Sequence, residues 1–309
     1  MKIYTTKIKE SWIIDRIKNE WIKNNPKINT NYISKADIIW VIAPWAIDYN
    51  FLTKNEFKKI IYSIYHIEDT SKNSTEIKNI KDVDKFVNAY HVISLKTKAK
   101  LSKITHKPIY FAPLWVNQKI WFPIEDKINL RKKYNFKQAD FLVGSFQRDT
   151  EGSDLISPKL VKGPDIFINI LKNYLNKPNL KVVLTGKRRQ YVINELKNAN
   201  IQFTYYEMIN FKQMNELYNI LDLYLVSSRL EGGPQALVEC GLIKTPIIST
   251  NVGIADLLLH RDSIYDYTNL ESFKKCRPEI EYAYNNAKLL TIPYGMKAYM
   301  EMFMEVYES

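Results

Sequence analysis

Two carboxylates stand eight positions apart around a Gly-Gly-Pro turn in Ser227 to Glu239, SSRLEGGPQALVE. Gly232 and Gly233 let a backbone approach a ligand closely, and Pro234 suits the first turn of a helix. The preceding LDLYLV reads as a strand, and Ala236, Leu237, Val238 and Cys240 continue as a helix. Free amides at that helix start can hold an anion. Glu231 before it and Glu239 about two turns along can accept hydrogen bonds from hydroxyls on either side. An anion between two polyhydroxylated groups describes a nucleotide sugar. Taken singly, each glutamate is more often structural, because a carboxylate near a helix N-terminus is favourable for dipole reasons alone.

The neighbouring loops supply the missing cations. Residues 147–164, QRDTEGSDLISPKLVKGP, carry Arg148, Lys159 and Lys162 ahead of a helix that opens near Pro164. Residues 186–189, GKRR, add Arg188 and Arg189, whereas the loop over 204–210 has no distinctive chemistry. Cations at strand ends can grip a phosphate together with the dipole of the following helix.

Short β-branched runs must position these loops. Residues 141–146, 181–185, 223–226 and 246–249 read as strands, and 164–175, 190–198, 211–220 and 236–242 as the helices between them. The same alternation precedes them, with strands over 2–5, 37–43, 59–65, 91–94 and 108–112 and helices over 10–23 and 97–104. This is the pattern of parallel sheets with crossover helices, which bind ligands outside the carboxyl ends of their strands. The predicted architecture is α/β in two Rossmann-like units, 1–125 and 126–309, with the boundary near 120–135. A Met- and Tyr-rich amphipathic helix over 295–307 reads as core packing and can return to the first unit.

Composition is that of a folded soluble chain, 46% apolar and 25% charged over 309 residues. No apolar run approaches the roughly 20 residues of a membrane span, and MKIYTTKIKE lacks the features of a signal peptide, so a cytoplasmic location is expected. Cys240 and Cys276 are too few for a disulfide framework and read as buried thiols. Of the net charge of +12, residues 1–130 hold 22 Lys or Arg against 13 Asp or Glu, and 131–309 hold 23 against 20. A basic first unit can face anionic lipid, nucleic acid or a phosphorylated substrate, although no sequence-specific nucleic-acid motif accompanies it.

Residues 227–256, SSRLEGGPQALVECGLIKTPIISTNVGIAD, resemble the C-terminal signature of GT-B glycosyltransferases of the GT4 (glycosyltransferase group 1) family. The likeness extends to 144–171, with Arg148 and the Lys162-Gly163-Pro164-Asp165 run, to VVLTG at 182–186, and more moderately to 58–123. The resemblance implies two Rossmann-like domains facing across a cleft and a retaining transfer of sugar from a nucleoside-diphosphate donor to a glycan or lipid-linked acceptor. No cofactor or metal is implied.

Carried over by position, the resemblance implies that Glu231 contacts the transferred sugar and Glu239 the ribose. It likewise implies that Gly232, Gly233, Pro234 and Gln235 lie along sugar and diphosphate through their backbone, and that Arg148 and Lys162 neutralise the leaving group. Lys159 can replace Lys162, and Arg188 or Arg189 can supplement either. His66 falls where the family often has a histidine near the reacting sugar, although a lone histidine after a strand is more often a core residue. Two departures stand out: the expected glycine-rich loop reads TTKIKESW over 5–12, and the interval from Arg148 to Lys162 is long. The alternatives are a catalytically silent nucleotide-sugar-binding protein, which the missing glycine loop favours, and a GT-B nucleotide-sugar epimerase. A peripheral membrane position is a further expectation from the basic first unit.

Overall fold

A computed structural model describes residues 1–7, 13–68, 71 and 74–309. The glycine-free stretch 5–12 and the predicted helix start at residue 10, with Trp12, fall partly on 8–12, outside the described residues. The chain divides into two compact units, residues 1–115 with 292–309, and residues 116–291.

In the first unit β1 (Ile3–Thr5), α1 (Ile13–Asn24), β2 (Ile38–Val41), α2 (Tyr49–Lys54), β3 (Lys59–Ile64), α3 (Thr75–Asp84), β4 (Ala89–Val92), α4 (Leu95–Leu101) and β5 (Ile109–Phe111) follow in order. The second contains α5 (Lys127–Lys133), β6 (Phe141–Ser145), α6 (Pro164–Asn173), β7 (Leu180–Thr185), α7 (Gln190–Asn198), β8 (Gln202–Tyr206) and α8 (Phe211–Ile220). It continues with β9 (Leu223–Val226), α9 (Gln235–Ile243), β10 (Ile247–Thr250), α10 (Ala255–Leu258), β11 (Ile264–Tyr265) and α11 (Ile280–Lys288), after which α12 (Lys297–Glu308) belongs to the first unit.

The predicted cut at 125/126 moves to 115/116 because the Trp-rich passage over 114–123, LWVNQKIWFP, serves two cores. Trp115 is sealed in the first with Trp21, Trp40, Tyr299 and Phe303, while Trp121 lies in the second beside Tyr218. Consequently residues 292–309 group with the first unit and not with 126–291. The charge asymmetry shrinks as well. Residues 1–115 with 292–309 carry 21 Lys or Arg against 14 Asp or Glu, and 116–291 carry 24 against 19. The predicted strand over 91–94 lies instead at Ala89–Val92, because the Ser94 side chain accepts from Thr97 N and caps α4. The predicted loop over 204–210 begins after Tyr206, since Thr204 to Tyr206 pair with β7. Cys240 is buried but Cys276 is half-buried.

The first sheet is parallel in the order β1-β2-β3-β4-β5. One further bridge changes its meaning: Asn29, after α1, pairs parallel with Ile3, with Ile3 N donating to Ile28 O at 2.7 Å and Thr30 N to Ile3 O at 3.0 Å. The chain therefore leaves β1 in one direction, turns back, and runs from β2 in the other. The reversal places α1 with α12 on one face, and α2, α3 and α4 on the opposite face, where right-handed crossovers require them. Period-2 burial serves both faces: Ile38, Trp40 and Ile42 join one core, Ile39 and Val41 the other.

A polar chain runs through the first of these cores. Trp40 Nε1 donates to Ser63 Oγ at 3.0 Å, and Ser63 Oγ meets His91 Nδ1 at 2.9 Å. His91 Nε2 faces Ala112 O at 2.9 Å, and the Tyr299 hydroxyl of α12 donates to the same carbonyl at 3.0 Å. A carbonyl only accepts, so His91 is the neutral Nε2–H tautomer with Nδ1 accepting from Ser63. Burial pushes its pKa down to about 4 from 6.5, against the raising effect of its bond to Ala112 O.

The second sheet, also parallel, has the order β11-β10-β9-β6-β7-β8, with its reversal between β6 and β9. Tyr224 and Val226 face α8, α9 and α11; Val143, Val182 and Leu225 face α6 and α7. The loops after β6 and β9 therefore flank the position at which open α/β sheets bind ligands.

His91 makes stability of the first unit pH-dependent in a stated direction. Its contribution is whole above pH 6.5, where the unfolded imidazole is also neutral, and is lost as pH falls toward about 4, because the unfolded state then binds a proton the folded state refuses. The loss is roughly 3 kcal/mol. Denaturant melts of wild type and His91→Gln between pH 7.5 and 4 should show the variant less stable at pH 7.5 and flatter below 6.5. Parallel slopes would exclude His91 as the source.

Candidate active site

The loop after β9 is built against the loop before α6. Arg229 N and Leu230 N donate to Val161 O at 2.8 and 3.2 Å, and Arg229 Nη1 donates to Leu160 O at 2.8 Å. The same guanidinium forks onto Asp165 at 2.7 and 2.6 Å. Burial pushes the Asp165 carboxyl up, but its bonds and charge interaction with Arg229 outweigh this and hold it below the usual range. Gly163, at φ +60°, permits the approach: a Cβ there would lie 1.8 Å from the Ser227 carbonyl oxygen. Gly253 repeats the device under the glycine pair: at φ +53°, a Cβ there would lie 2.6 Å from Gly232 O.

These contacts bring two predicted residues together from positions 69 apart. Lys162 Nζ forms an ion pair with Glu231 Oε1. Ser228 Oγ donates toward Glu231 Oε1 at 3.1 Å and lies 3.2 Å from Gln147 Oε1. Gln147 Nε2 in turn donates to Lys162 O at 3.0 Å. The whole cluster sits at the carboxyl ends of β6 and β9. Helix α9 begins at Gln235 with Pro234 as its N-cap, so Pro234 precedes the first turn instead of occupying it.

Glu239 is nearly sealed on α9, 5% exposed, and accepts from the Tyr218 hydroxyl at 3.2 Å. Burial pushes Tyr218 well up, and Tyr224 and Glu239 add to it, so the phenol stays protonated and donates. Tyr218 also packs 4.8 Å from Phe146, at the end of β6. Arg148 is half-buried and donates from Nε to Thr150 O at 3.0 Å. Arg188 sits at φ +59° and donates to Gly152 O at 3.0 Å.

Arg189 does not supplement the ligand cations. It is fully buried, ion-paired to buried Asp149, and donates to Ser145 O and, at 2.8 Å, to Thr185 O. It ties the ends of β6 and β7 to the base of the long interval, whose strands meet at Thr150 and Pro158. In the sequence Arg188 and Arg189 are interchangeable; the buried Asp149 that claims one of them gives no local signal. Gln147, inside the predicted loop, and Asp165, at the predicted helix start, likewise acquire partners only through tertiary contact.

His66 lies in the first unit, with an exposed ring whose Nε2 is 3.4 Å from Glu68 Oε1. It is not the core histidine; His91 is. His66 borders a cavity of about 410 Å³ shared with Trp45, Tyr65, Glu76 and Asn79. A larger cavity, about 620 Å³, lies at the amino ends of β6, β7 and β8, whereas Lys162 and Glu231 lie beyond the carboxyl ends of β6 and β9. Among the described residues no helix is long and apolar enough to cross a membrane.

Sealed and water-accessible cations should separate in denaturant melts. Arg189→Leu strands the buried Asp149 carboxylate and should cost about 3–5 kcal/mol. Lys162→Met removes a pair that water still reaches and should cost about 1 kcal/mol or less. Equal losses would refute the distinction.

Residues 157–264 match the family model described as glycosyl transferases group 1. The O-antigen biosynthesis glycosyltransferase WclY of Escherichia coli is 26% identical over 163 residues, a match covering 50% of this chain and 43% of that relative. The chain thus aligns with less than half the length of that protein. Anabaena HepE, solved in complex with UDP and glucose, superposes with a TM-score of 0.75 at 12% identity over 99% of both chains. Sucrose-phosphate synthase from Thermosynechococcus elongatus gives 0.69 at 13% identity, over 98% of this chain and 80% of its own. The lipopolysaccharide outer core galactosyltransferase WaaB gives 0.69 at 12% identity, over 99% of both. The fold is GT-B, and residues 157–264, about a third of the chain, resemble the group 1 glycosyltransferases.

Proposed function

We propose that the protein is a retaining, metal-independent GT4 glycosyltransferase that moves a sugar from a nucleoside diphosphate to a glycan or lipid-linked acceptor. One observation carries this: Lys162 and Glu231 meet at the β6/β9 reversal, inside the segment that matches group 1. UDP and glucose bound to HepE favour UDP as the nucleotide, and the O-antigen role in the name of WclY favours a surface-polysaccharide acceptor.

In this scheme negative charge grows on the departing diphosphate as the glycosidic bond breaks. Lys162 and Arg148, with Arg188 as a third cation, meet that charge, which lowers the barrier. The backbone of Gly232, Gly233, Pro234 and Gln235 follows sugar and diphosphate. Glu231 accepts hydroxyls of the transferred sugar and Glu239 those of the ribose, while His66 completes the catalytic set near the reacting sugar. The first unit, residues 1–115 with 292–309, takes the acceptor; the second takes the donor. The protein is cytoplasmic in this scheme. In this scheme Lys98, Lys103 and Lys107, on and after α4, are the lysines that meet an anionic membrane surface.

A thermal-shift screen against UDP-, GDP-, ADP- and TDP-sugars should single out one donor, since a ligand at 100 times its Kd stabilises by about 2.7 kcal/mol. Silence across that panel would favour a catalytically silent protein. With the donor in hand, Glu231→Ala should nearly abolish transfer while leaving the melting temperature close to wild type; wild-type turnover would sink the assignment. Reversing Lys98 and Lys103 to Glu should weaken sedimentation with phosphatidylserine vesicles at low salt, and unchanged binding would remove the membrane role.

A further inference from the structure

The donor loops pair their own charges. A diphosphate needs the Lys162 ammonium and a sugar hydroxyl needs the Glu231 carboxylate, yet here each is spent on the other. The two partners are held unequally. Glu231 has a second anchor, the Ser228 hydroxyl at 3.1 Å, and Ser228 is itself buried, with its carbonyl accepting Thr250 Oγ1 at 2.6 Å. Lys162 is fixed through its backbone, where its carbonyl accepts from Gln147 Nε2 at 3.0 Å. Its ammonium, on a side chain 25% exposed, has Glu231 as its ion-pair partner among the described residues. The flexible lysine stem can therefore turn while the carboxylate stays where Ser228 keeps it.

We propose that Glu231 is a built-in counter-ion which Lys162 exchanges for the diphosphate, and that Ser228 is a positioning residue holding the released carboxylate for the sugar. This rests on the donor-site function proposed above. Breaking the pair leaves Glu231 half-buried without a cation, a cost that an intact nucleotide sugar offsets with a hydroxyl and a bare diphosphate does not. The site thus discriminates against its own product. Once the sugar has gone, Lys162 returns to Glu231 and the nucleoside diphosphate is displaced, so the ion pair assists product release.

Inorganic pyrophosphate tests the exchange without a sugar or a base. Calorimetric titration should find Glu231→Gln binding pyrophosphate on the order of fivefold to tenfold more tightly than wild type, because Lys162 no longer has to leave a carboxylate. In the Lys162→Met background the same change should give no such gain. Unchanged or weaker binding by Glu231→Gln would overturn the exchange. Equal tightening in both backgrounds would also overturn it, by showing only the removal of one negative charge. Pyrophosphate binding by neither wild type nor Glu231→Gln would overturn it as well. Ser228→Ala should leave pyrophosphate affinity within about twofold and narrow the preference for the identified nucleotide sugar over its nucleoside diphosphate; an unaltered preference, or loss of pyrophosphate affinity, would overturn the part given to Ser228. A wild type that shifts with a nucleotide sugar but fails these tests loses the exchange alone, whereas silence toward every nucleotide sugar removes the donor site itself.

Discussion

A carbonyl oxygen lies where the side chain of residue 163 would begin, and the proposed donor site depends on that contact. Because Gly163 has no Cβ, the Ser227 backbone can press against it, and Val161 O can take the amides of both Arg229 and Leu230. Any side chain at 163 would also be forced into the left-handed region, where the steric cost is roughly 1–2 kcal/mol before the clash is counted. Lys162 and Glu231 meet only because the backbone on either side of them is already bonded. The bidentate pair of Arg229 with Asp165 fastens the same seam from the outer side.

Two buried polar arrangements frame this chemistry, one in each unit. Arg189 and Asp149 remove two charges from water, a net cost unless every donor is satisfied; the carbonyls of Ser145 and Thr185 supply those acceptors. Their gain is register, since the ends of β6 and β7 must stay level for the loops beyond them to converge. In the first unit the Trp40, Ser63, His91 and Ala112 chain does comparable work, and Tyr299 brings α12 into it. There the cost is avoided by keeping the imidazole neutral.

The pairing of Lys162 with Glu231 illustrates how a site can be organised yet self-occupied. A partly desolvated lone lysine would attract any anion, and a lone glutamate beside it would repel the diphosphate. Joined, they neutralise each other at the loop ends after β6 and β9.

Much of the second unit was legible in order along the chain. Apolar strands of four to six residues, glycines at 163, 232 and 233, and a proline at or just before the start of two helices are local features, and local sterics fix what they do. The choice of Glu231, Glu239, Arg148 and Lys162 as candidates rests on such features plus a family resemblance. Other elements left weak traces. β8 alternates polar and aromatic residues and reads as loop, and the short α2 and α10 carry too few periodic positions to distinguish themselves.

By itself the sequence determined the alternation of strand and helix, the turn glycines and the residue types that could carry the chemistry, because each depends on neighbours within a few positions. Only the tertiary structure decided the cut at 115/116, the place of α12, the single-residue bridge at Asn29 that reverses the first sheet, and the fate of each cation. Arg188 and Arg189 are adjacent and chemically identical, yet one lies half-buried on a loop and the other is sealed against Asp149, 40 residues away. A charge's role follows from which opposite charge and how much water the fold brings to it, and neither is written in its flanking residues.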